Sequence, residues 1–142
     1  MSGRVAEFCD TNIVVYAHDR DAGSKRDVAR RLLLDLCAAD QCRLSPQVLQ
    51  EFYVTVTGKL ARPLEPAQAA AIVSDLAHWA VAATDAADVE AGVAMAQASR
   101  ISLWDAMIVV AAKKCGAGIV WSEDLQDGAR YGGVLIRNPF VL

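Results

Sequence analysis

The sequence of 142 residues has few of the residues that mark disulfide-rich or zinc-binding proteins. Its four cysteines form no C-x-x-C pair, and no histidines lie near them at zinc-finger spacing. Neither a disulfide framework nor a structural zinc site is therefore expected. We expect reduced, mostly buried thiols at Cys9, Cys37, Cys42 and Cys115.

The chain also lacks an excess of positive charge, since 14 lysines and arginines face 17 aspartates and glutamates. Nucleic-acid-binding domains usually carry a basic surface, so the net charge of -3 does not by itself predict one. No apolar stretch approaches the length of a membrane span, and Arg4 and Glu7 interrupt the N-terminal segment. We expect a cytoplasmic protein with neither a signal peptide nor a membrane segment.

Hydrophobic residues, at 54% of the chain, are abundant enough to build the core of one domain that spans residues 1–142. Short Val/Ile runs alternate with stretches of helical periodicity, which favours a parallel sheet covered by helices on both faces. The predicted class is α/β. The predicted strands are 5–9, 42–44, 80–83, 119–121 and 134–136, and the predicted helices are 24–39, 46–57, 67–79, 86–99, 103–115 and one beginning just after residue 10.

Four acidic residues fall where this topology brings chain segments together. Asp10 follows the first predicted strand and Asp124 follows strand 119–121, so both belong at the carboxyl edge of the sheet. Glu51 and Asp105 lie in the first two turns of helices that begin at the same edge, where ligand sites usually form. The sequence therefore predicts that the four carboxylates converge.

Each acid also has an ordinary structural explanation. Asp105 stands in an otherwise apolar helix, where a buried charge is costly, yet with Ser102 it also fits a capping box. Asp10 and Asp124 are of a type common in turns, and Glu51 borders the apolar stripe of its helix. Taken one at a time, the four acids leave both the structural and the functional interpretation open.

If four carboxylates converge at one rim, their like charges repel one another and destabilise the fold. Bound cations relieve that repulsion. Hard oxygen ligands suit Mg²⁺ or Mn²⁺, which bind through a few carboxylates together with water and substrate phosphate. We therefore expect one or two divalent cations at this edge.

Four motifs in this order and spacing resemble those of the PIN-domain nucleases, and in particular the VapC-type toxins of bacterial toxin-antitoxin systems. The resemblance covers nearly the whole chain. The motifs are Phe8-Cys9-Asp10-Thr11-Asn12-Ile13, Gln50-Glu51-Phe52-Tyr53, Leu103-Trp104-Asp105-Ala106, and the segment from Ser122 to Gly128.

The resemblance implies a three-layer PIN-like fold with a mainly parallel sheet of four or five short strands between helices. It implies an endoribonuclease that uses Mg²⁺, with Mn²⁺ able to substitute, and that leaves 5′-phosphate and 3′-hydroxyl ends. The implied partners are an RNA substrate, a cognate antitoxin, and a second copy bound through helices such as 45–57 and 67–79. The implied metal-binding and catalytic acids are Asp10, Glu51, Asp105 and Asp124, with Asn12 and Ser122 in supporting roles and Asp127 as an auxiliary acid.

Three other functions compete with this hypothesis. A catalytically silent PIN-fold module would act only through its antitoxin complex. An aspartyl-phosphate phosphatase would use Asp10 as nucleophile, but Asn12 stands where a second acid is expected. A metal-free ribonuclease would need His18 and His78 at one rim, and nothing in the sequence brings them there.

Basic residues concentrate near the start of the second predicted helix. With the four site acids set aside, basic residues predominate, with 14 of them against 13 remaining acids. The concentrated residues either contact RNA phosphates or form a solvated helix face. They are Arg20, Lys25, Arg26, Arg30 and Arg31.

Overall fold

The computed structural model describes residues 5–141; Met1 to Arg4 and Leu142, which the predicted domain includes, lie outside the described residues. Over the described range, helices and strands alternate along the chain as predicted. The elements are β1 (Ala6–Cys9), α1 (Thr11–His18), α2 (Ser24–Ala38), β2 (Cys42–Leu44), α3 (Pro46–Gly58), α4 (Pro66–Ala77), β3 (Ala80–Val81), α5 (Ala86–Ser99), α6 (Leu103–Lys114), β4 (Ala117–Trp121), β5 (Arg130–Tyr131) and β6 (Val134–Arg137).

The strands of residues 5–141 form one sheet in the order β3-β2-β1-β4-β6-β5. The first five strands in this order run parallel to their neighbours, which confirms the predicted mainly parallel sheet. The structure adds β5, a two-residue edge strand that pairs antiparallel with β6. It also begins β4 at Ala117 rather than at Ile119.

Two groups of helices cover the two faces of the sheet. The chain moves from β1 through β2 to β3 toward one edge and then returns across the sheet to β4. Because parallel crossovers are right-handed, α1–α4 lie on one face and α5 and α6 on the other. Accordingly, α1 packs against α2 and α3, α3 packs against α4, and α5 packs against α6. The expected three-layer arrangement is confirmed.

Helix α6 lies deep in its layer, and every residue from Ala106 to Ala112 is buried. It packs closely against α5 at Gly92, where an added Cβ would lie 2.5 Å from the sulfur of Met107. Along residues 5–141, no single helix has the length and hydropathy to cross a membrane; α5 and α6 reach both only as a pair, which is bent by 120°.

Candidate functional site

The predicted acids lie around the ends of β1 and β4, neighbouring strands from which the chain departs toward opposite sides of the sheet. Such a switch point leaves a crevice at the carboxyl edge. Asp10 directly follows β1, and its backbone N–H donates to the carbonyl of Trp121, the last residue of β4, at 3.0 Å. Asp124 follows β4 by three residues, while Glu51 and Asp105 lie in the first two turns of α3 and α6.

Asp10 is the buried member of the set, with 3% of its surface exposed. Its Oδ1 accepts a hydrogen bond from the backbone N–H of Thr11 at 2.7 Å, which caps α1. Its Oδ2 accepts from the hydroxyl of Ser122 at 2.7 Å and from the amide of Asn12 at 3.4 Å. Capping of α1 therefore occupies one oxygen of the Asp10 carboxylate. The second oxygen is held by side chains toward the loop after β4.

Asn12 joins two of the acids. Its Nδ2 donates to Oδ2 of Asp124 at 3.2 Å as well as to Asp10, so both carboxylates approach one nitrogen. Its Oδ1 accepts from the backbone N–H of Glu123 at 3.2 Å. This side chain thereby fixes the start of α1 against the loop after β4, and it brings together residues 112 positions apart in sequence.

Ser122 fixes the same loop from inside. Its fully buried hydroxyl donates to Asp10 and accepts from the backbone N–H groups of Asp124 at 3.1 Å and Leu125 at 3.4 Å. A buried donor or acceptor that loses its partner costs the full free energy of its desolvation. The hydroxyl therefore holds both the fold of the loop and the orientation of the Asp10 carboxylate.

We predict that Ser122→Ala lowers the free energy of unfolding by about 1–3 kcal/mol, because it leaves the Asp124 N–H without its acceptor. Urea unfolding measures this change. Ser102→Ala is the matched control, because it removes a helix cap from an exposed serine and is expected to cost about 1 kcal/mol. Equal or smaller destabilisation by Ser122→Ala would contradict the assigned network.

Glu51 is held by two side chains to which the sequence analysis gave no role. The hydroxyl of Thr11 donates to Glu51 Oε1 at 2.6 Å, and Gln47 Nε2 approaches Oε2 at 3.4 Å. Gln47 also donates to the backbone carbonyl of Trp104 at 3.1 Å, which ties α3 to the start of α6. The spacing of four between Gln47 and Glu51 on one helix is a signal that could have indicated this contact. No sequence signal indicated Thr11.

Asp105 is half-buried, and its backbone N–H donates to the Ser102 hydroxyl at 3.0 Å. That bond is one half of the capping box. The other half would be a bond from the Ser102 N–H to the Asp105 side chain. Among residues 5–141, only α5 has this second bond, which runs from the Asp85 N–H to Asp88. Trp104, predicted among the apolar surroundings of Asp105, is instead 65% exposed, and continuous burial of α6 begins only at Ala106.

Electrostatic repulsion between the carboxylates affects the pKa values of Asp10 and Asp105. Burial raises the pKa of Asp10 to about 6, hydrogen bonds from Ser122 and Thr11 oppose the rise, and the charges of Asp124 and Asp105 add to it. Partial burial likewise raises the pKa of Asp105, with Ser102 opposing and the charges of Asp124 and Glu51 adding. The predicted repulsion is therefore present, and all four acids take part in it.

The donor set fits a hard divalent cation. Within residues 5–141, no three Asp, Glu, His or Cys side chains lie close enough together to ligate one ion at once. The acids thus form an open rim rather than a closed cage. Mg²⁺ commonly binds through one or two carboxylates and retains several waters, so oxygen donors around a partly desolvated negative site match its chemistry.

Two neighbouring acids point elsewhere. The carboxylate of Asp127 accepts from the backbone N–H of Asn138 at 2.8 Å and lies 4.0 Å from Arg137, so its observed contacts are with the C-terminal tail. Glu123 forms a salt bridge with Lys25 and accepts from the Tyr16 hydroxyl at 2.5 Å. The auxiliary role of Asp127 stays a prediction.

The two histidines lie apart from the acids. His18 Nδ1 is 2.9 Å from the carbonyl of Val14, and His78 Nδ1 is 2.6 Å from the carbonyl of Ser74. A groove of about 520 Å³ runs from Asp124 and Glu51 along α1, and neither histidine lines it. The geometry gives the histidine-based alternative no support.

Fold and site together define a three-layer α/β protein with a carboxylate rim at its switch point. The family model for the PIN domain matches residues 8–129. The chain therefore belongs to the PIN-domain family. No protein among those of curated function matches the sequence.

Solved structures of toxin-antitoxin proteins share the fold. A toxin-antitoxin complex from Klebsiella pneumoniae is 22% identical, with 96% of this chain and 99% of that chain covered and a TM-score of 0.68. DNA-bound VapBC from Salmonella typhimurium is 20% identical, with coverage of 96% and 99% and a TM-score of 0.64. VapC20 from Mycobacterium tuberculosis, a toxin that cleaves the sarcin-ricin loop, is 17% identical, with coverage of 84% and 90% and a TM-score of 0.63.

Proposed function

We propose that this PIN-domain protein is a divalent-metal-dependent endoribonuclease, the toxin of a toxin-antitoxin pair. The observation that carries the proposal is the Asn12 amide, which holds Asp10 and Asp124 together at the switch point although their charges repel. Hydrogen bonds stabilise this arrangement, but the repulsion between the carboxylates opposes it. A site for a cation and a phosphodiester explains it, and the similarity to VapC-type structures supports RNA as substrate.

In this proposal Asp10, Asp105 and Asp124 would hold one or two Mg²⁺ or Mn²⁺ ions, partly through bound water, and the metal would supply an activated water and neutralise charge on the phosphate. Glu51 binds a cation or accepts the proton of the attacking water, and Thr11 and Gln47 fix its orientation. The water oxygen bonds to phosphorus as the bond from phosphorus to the 3′ oxygen breaks. The products carry a 5′-phosphate and a 3′-hydroxyl.

The proposed partners follow from the same comparisons. The neighbours include complexes of toxins with antitoxins, so we expect a cognate antitoxin that covers the carboxylate rim in the cytoplasm. We also expect a homodimer. Tyr53 and Val54 on α3 are 38% and 55% exposed, which fits the expectation that α3 and α4 meet a second copy.

The test is cleavage of total RNA by the purified protein in Mg²⁺ or Mn²⁺ and in EDTA. We expect cleavage that EDTA abolishes and fragments that can be ligated through their 5′ ends without prior phosphorylation. Cleavage that persists in EDTA would contradict metal dependence. A folded, metal-loaded protein that cleaves no RNA would favour the catalytically silent module.

A further inference from the structure

A second cavity, of about 290 Å³, lies beside the C-terminal end of α1, between α2 and α4. Basic and polar side chains dominate its lining, and among the described residues no aspartate or glutamate contributes to it. The polar lining residues are His18, Arg20, Arg26, Arg30 and Gln68.

Among the described residues no acid lines the cavity, although the charge of exposed Arg20 acts on Asp21 outside it. None of its three arginines belongs to a salt bridge formed within residues 5–141, whereas Arg62 pairs with Asp21 and Lys114 with Asp88. In the same range, Arg26 Nε is the one buried side-chain nitrogen or oxygen without a hydrogen-bond partner. Leaving a charged donor buried and unpaired is costly, and an anion bound in the cavity would offset that cost.

The positive charge of the cavity also acts on His18. A carbonyl oxygen can only accept, so His18 Nδ1 donates to Val14 and Nε2 remains available. Burial lowers the pKa of His18, and the charges of Arg30 and Arg26 lower it further despite the bond to Val14. An anion between the arginines would reverse the effect of their charges on the imidazole.

We propose that this cavity binds a backbone phosphate of the RNA strand at a distance from the cleaved bond, an inference that rests on the proposed ribonuclease function. Planar guanidinium groups match phosphate oxygens with paired hydrogen bonds. Arg26 and Arg30, one helical turn apart on α2, present two such groups to one space.

The position of the cavity favours RNA over other anions. Asp19 lines the groove that begins at the acids, and the next residue, Arg20, lines the basic cavity, so consecutive residues contribute to the two depressions. The eight residues of α1 place its C-terminal end, beside the cavity, about 12 Å from the acids at its start. A stacked strand advances roughly 3.4 Å per phosphate, so the cavity lies about three to four nucleotides from the cleavage site.

The basic residues predicted from the sequence to concentrate on α2 differ in their contacts in the structure. Lys25 is engaged by Glu123 and lies over the Tyr16 ring, 5.0 Å from its centroid. Arg31 is exposed and does not line the cavity. Arg31 therefore provides a matched control, with the same charge on the same helix as Arg30.

The test measures binding of a fluorescein-labelled, single-stranded 12-nucleotide RNA of mixed sequence (a length on the order of one binding site) to the full-length Asp105→Asn protein. Adding Arg26→Gln and Arg30→Gln is expected to weaken binding roughly tenfold or more. It should also reduce the slope of log K against log salt by about 0.7 for each phosphate that the double variant no longer neutralises. Arg31→Gln should change the affinity less than about twofold and leave the slope unchanged.

Unchanged affinity and slope in the double variant would overturn the proposal. So would intact RNA binding together with failure to bind the co-expressed antitoxin, because that result assigns the cavity to an acidic protein segment. RNA cleavage by the wild type in Mg²⁺ is measured alongside. If the wild type cleaves and the double variant binds RNA normally, this inference fails and the proposed function stands; if the wild type never cleaves, the proposed function fails.

If the double variant does not fold, NMR titration of the wild-type histidines decides the question. Inorganic phosphate is expected to raise the pKa of His18 and to leave the NMR signals of His78, which is exposed outside the cavity, unperturbed. Equal responses of the two histidines to phosphate would overturn the proposal.

Discussion

Asp105→Asn should reduce kcat/KM for RNA cleavage by about a thousandfold, the consequence of losing several kcal/mol of stabilisation of charge in the transition state. The amide has the shape of the carboxylate but no negative charge with which to hold a cation. The fold should persist, because Ser102 caps α6 through the backbone N–H of Asp105 rather than through its side chain. Quantitative cleavage assays in Mg²⁺ measure the decrease.

The matched control is Asp35→Asn, which removes the same charge from an exposed position on α2 and should keep full activity. Antitoxin binding by Asp105→Asn checks that the variant is folded, because both main functional hypotheses include an antitoxin. A toxin whose site acids are inactivated should still bind its antitoxin. If Asp105→Asn cleaves RNA as fast as the wild type, Asp105 does not belong to the site.

The sequence could predict the edge of the sheet at which the acids meet, because the order of strands and helices determines where each segment ends. It could not predict which side chains hold them. Thr11 and Glu51 are 40 residues apart, and their hydrogen bond depends on side-chain conformations that periodicity does not describe. The uniform apolar pattern of α6 likewise predicted burial correctly from Ala106 to Ala112 but gave no indication that Trp104 projects into solvent.

The missed strand β5 had a visible signal. Gly132 and Gly133 have φ values of 56° and 86°, which a two-residue hairpin of type I′ requires, and Tyr131 pairs with Val134 across them. As a strand boundary alone, the glycine pair predicts only where β6 begins. A two-residue strand has too few positions for an alternating pattern, so only the turn residues could have indicated it.

Asp10→Asn should abolish a pH dependence of stability in the metal-free protein. The pKa of Asp10 is raised from 3.8 to about 6 in the folded state, chiefly by burial, so folding favours the protonated acid. The contribution to stability is therefore fully present below about pH 4 and is lost as the pH rises through 6. Between pH 4.5 and 7.5 the wild type should lose roughly 2 kcal/mol that Asp10→Asn does not lose.

Urea unfolding in EDTA at the two pH values measures this difference, and Asp35→Asn should follow the wild type. Titrating groups distant from Asp10 are common to the two proteins and cancel in the comparison. Addition of Mg²⁺ at pH 7.5 should stabilise the wild type, because the cation binds only the folded state and compensates the ionised Asp10, whereas Asp10→Asn should respond less. Identical pH dependence in wild type and Asp10→Asn would show that the buried carboxylate carries no electrostatic penalty, and the case for a cation at this rim would then have no physical basis.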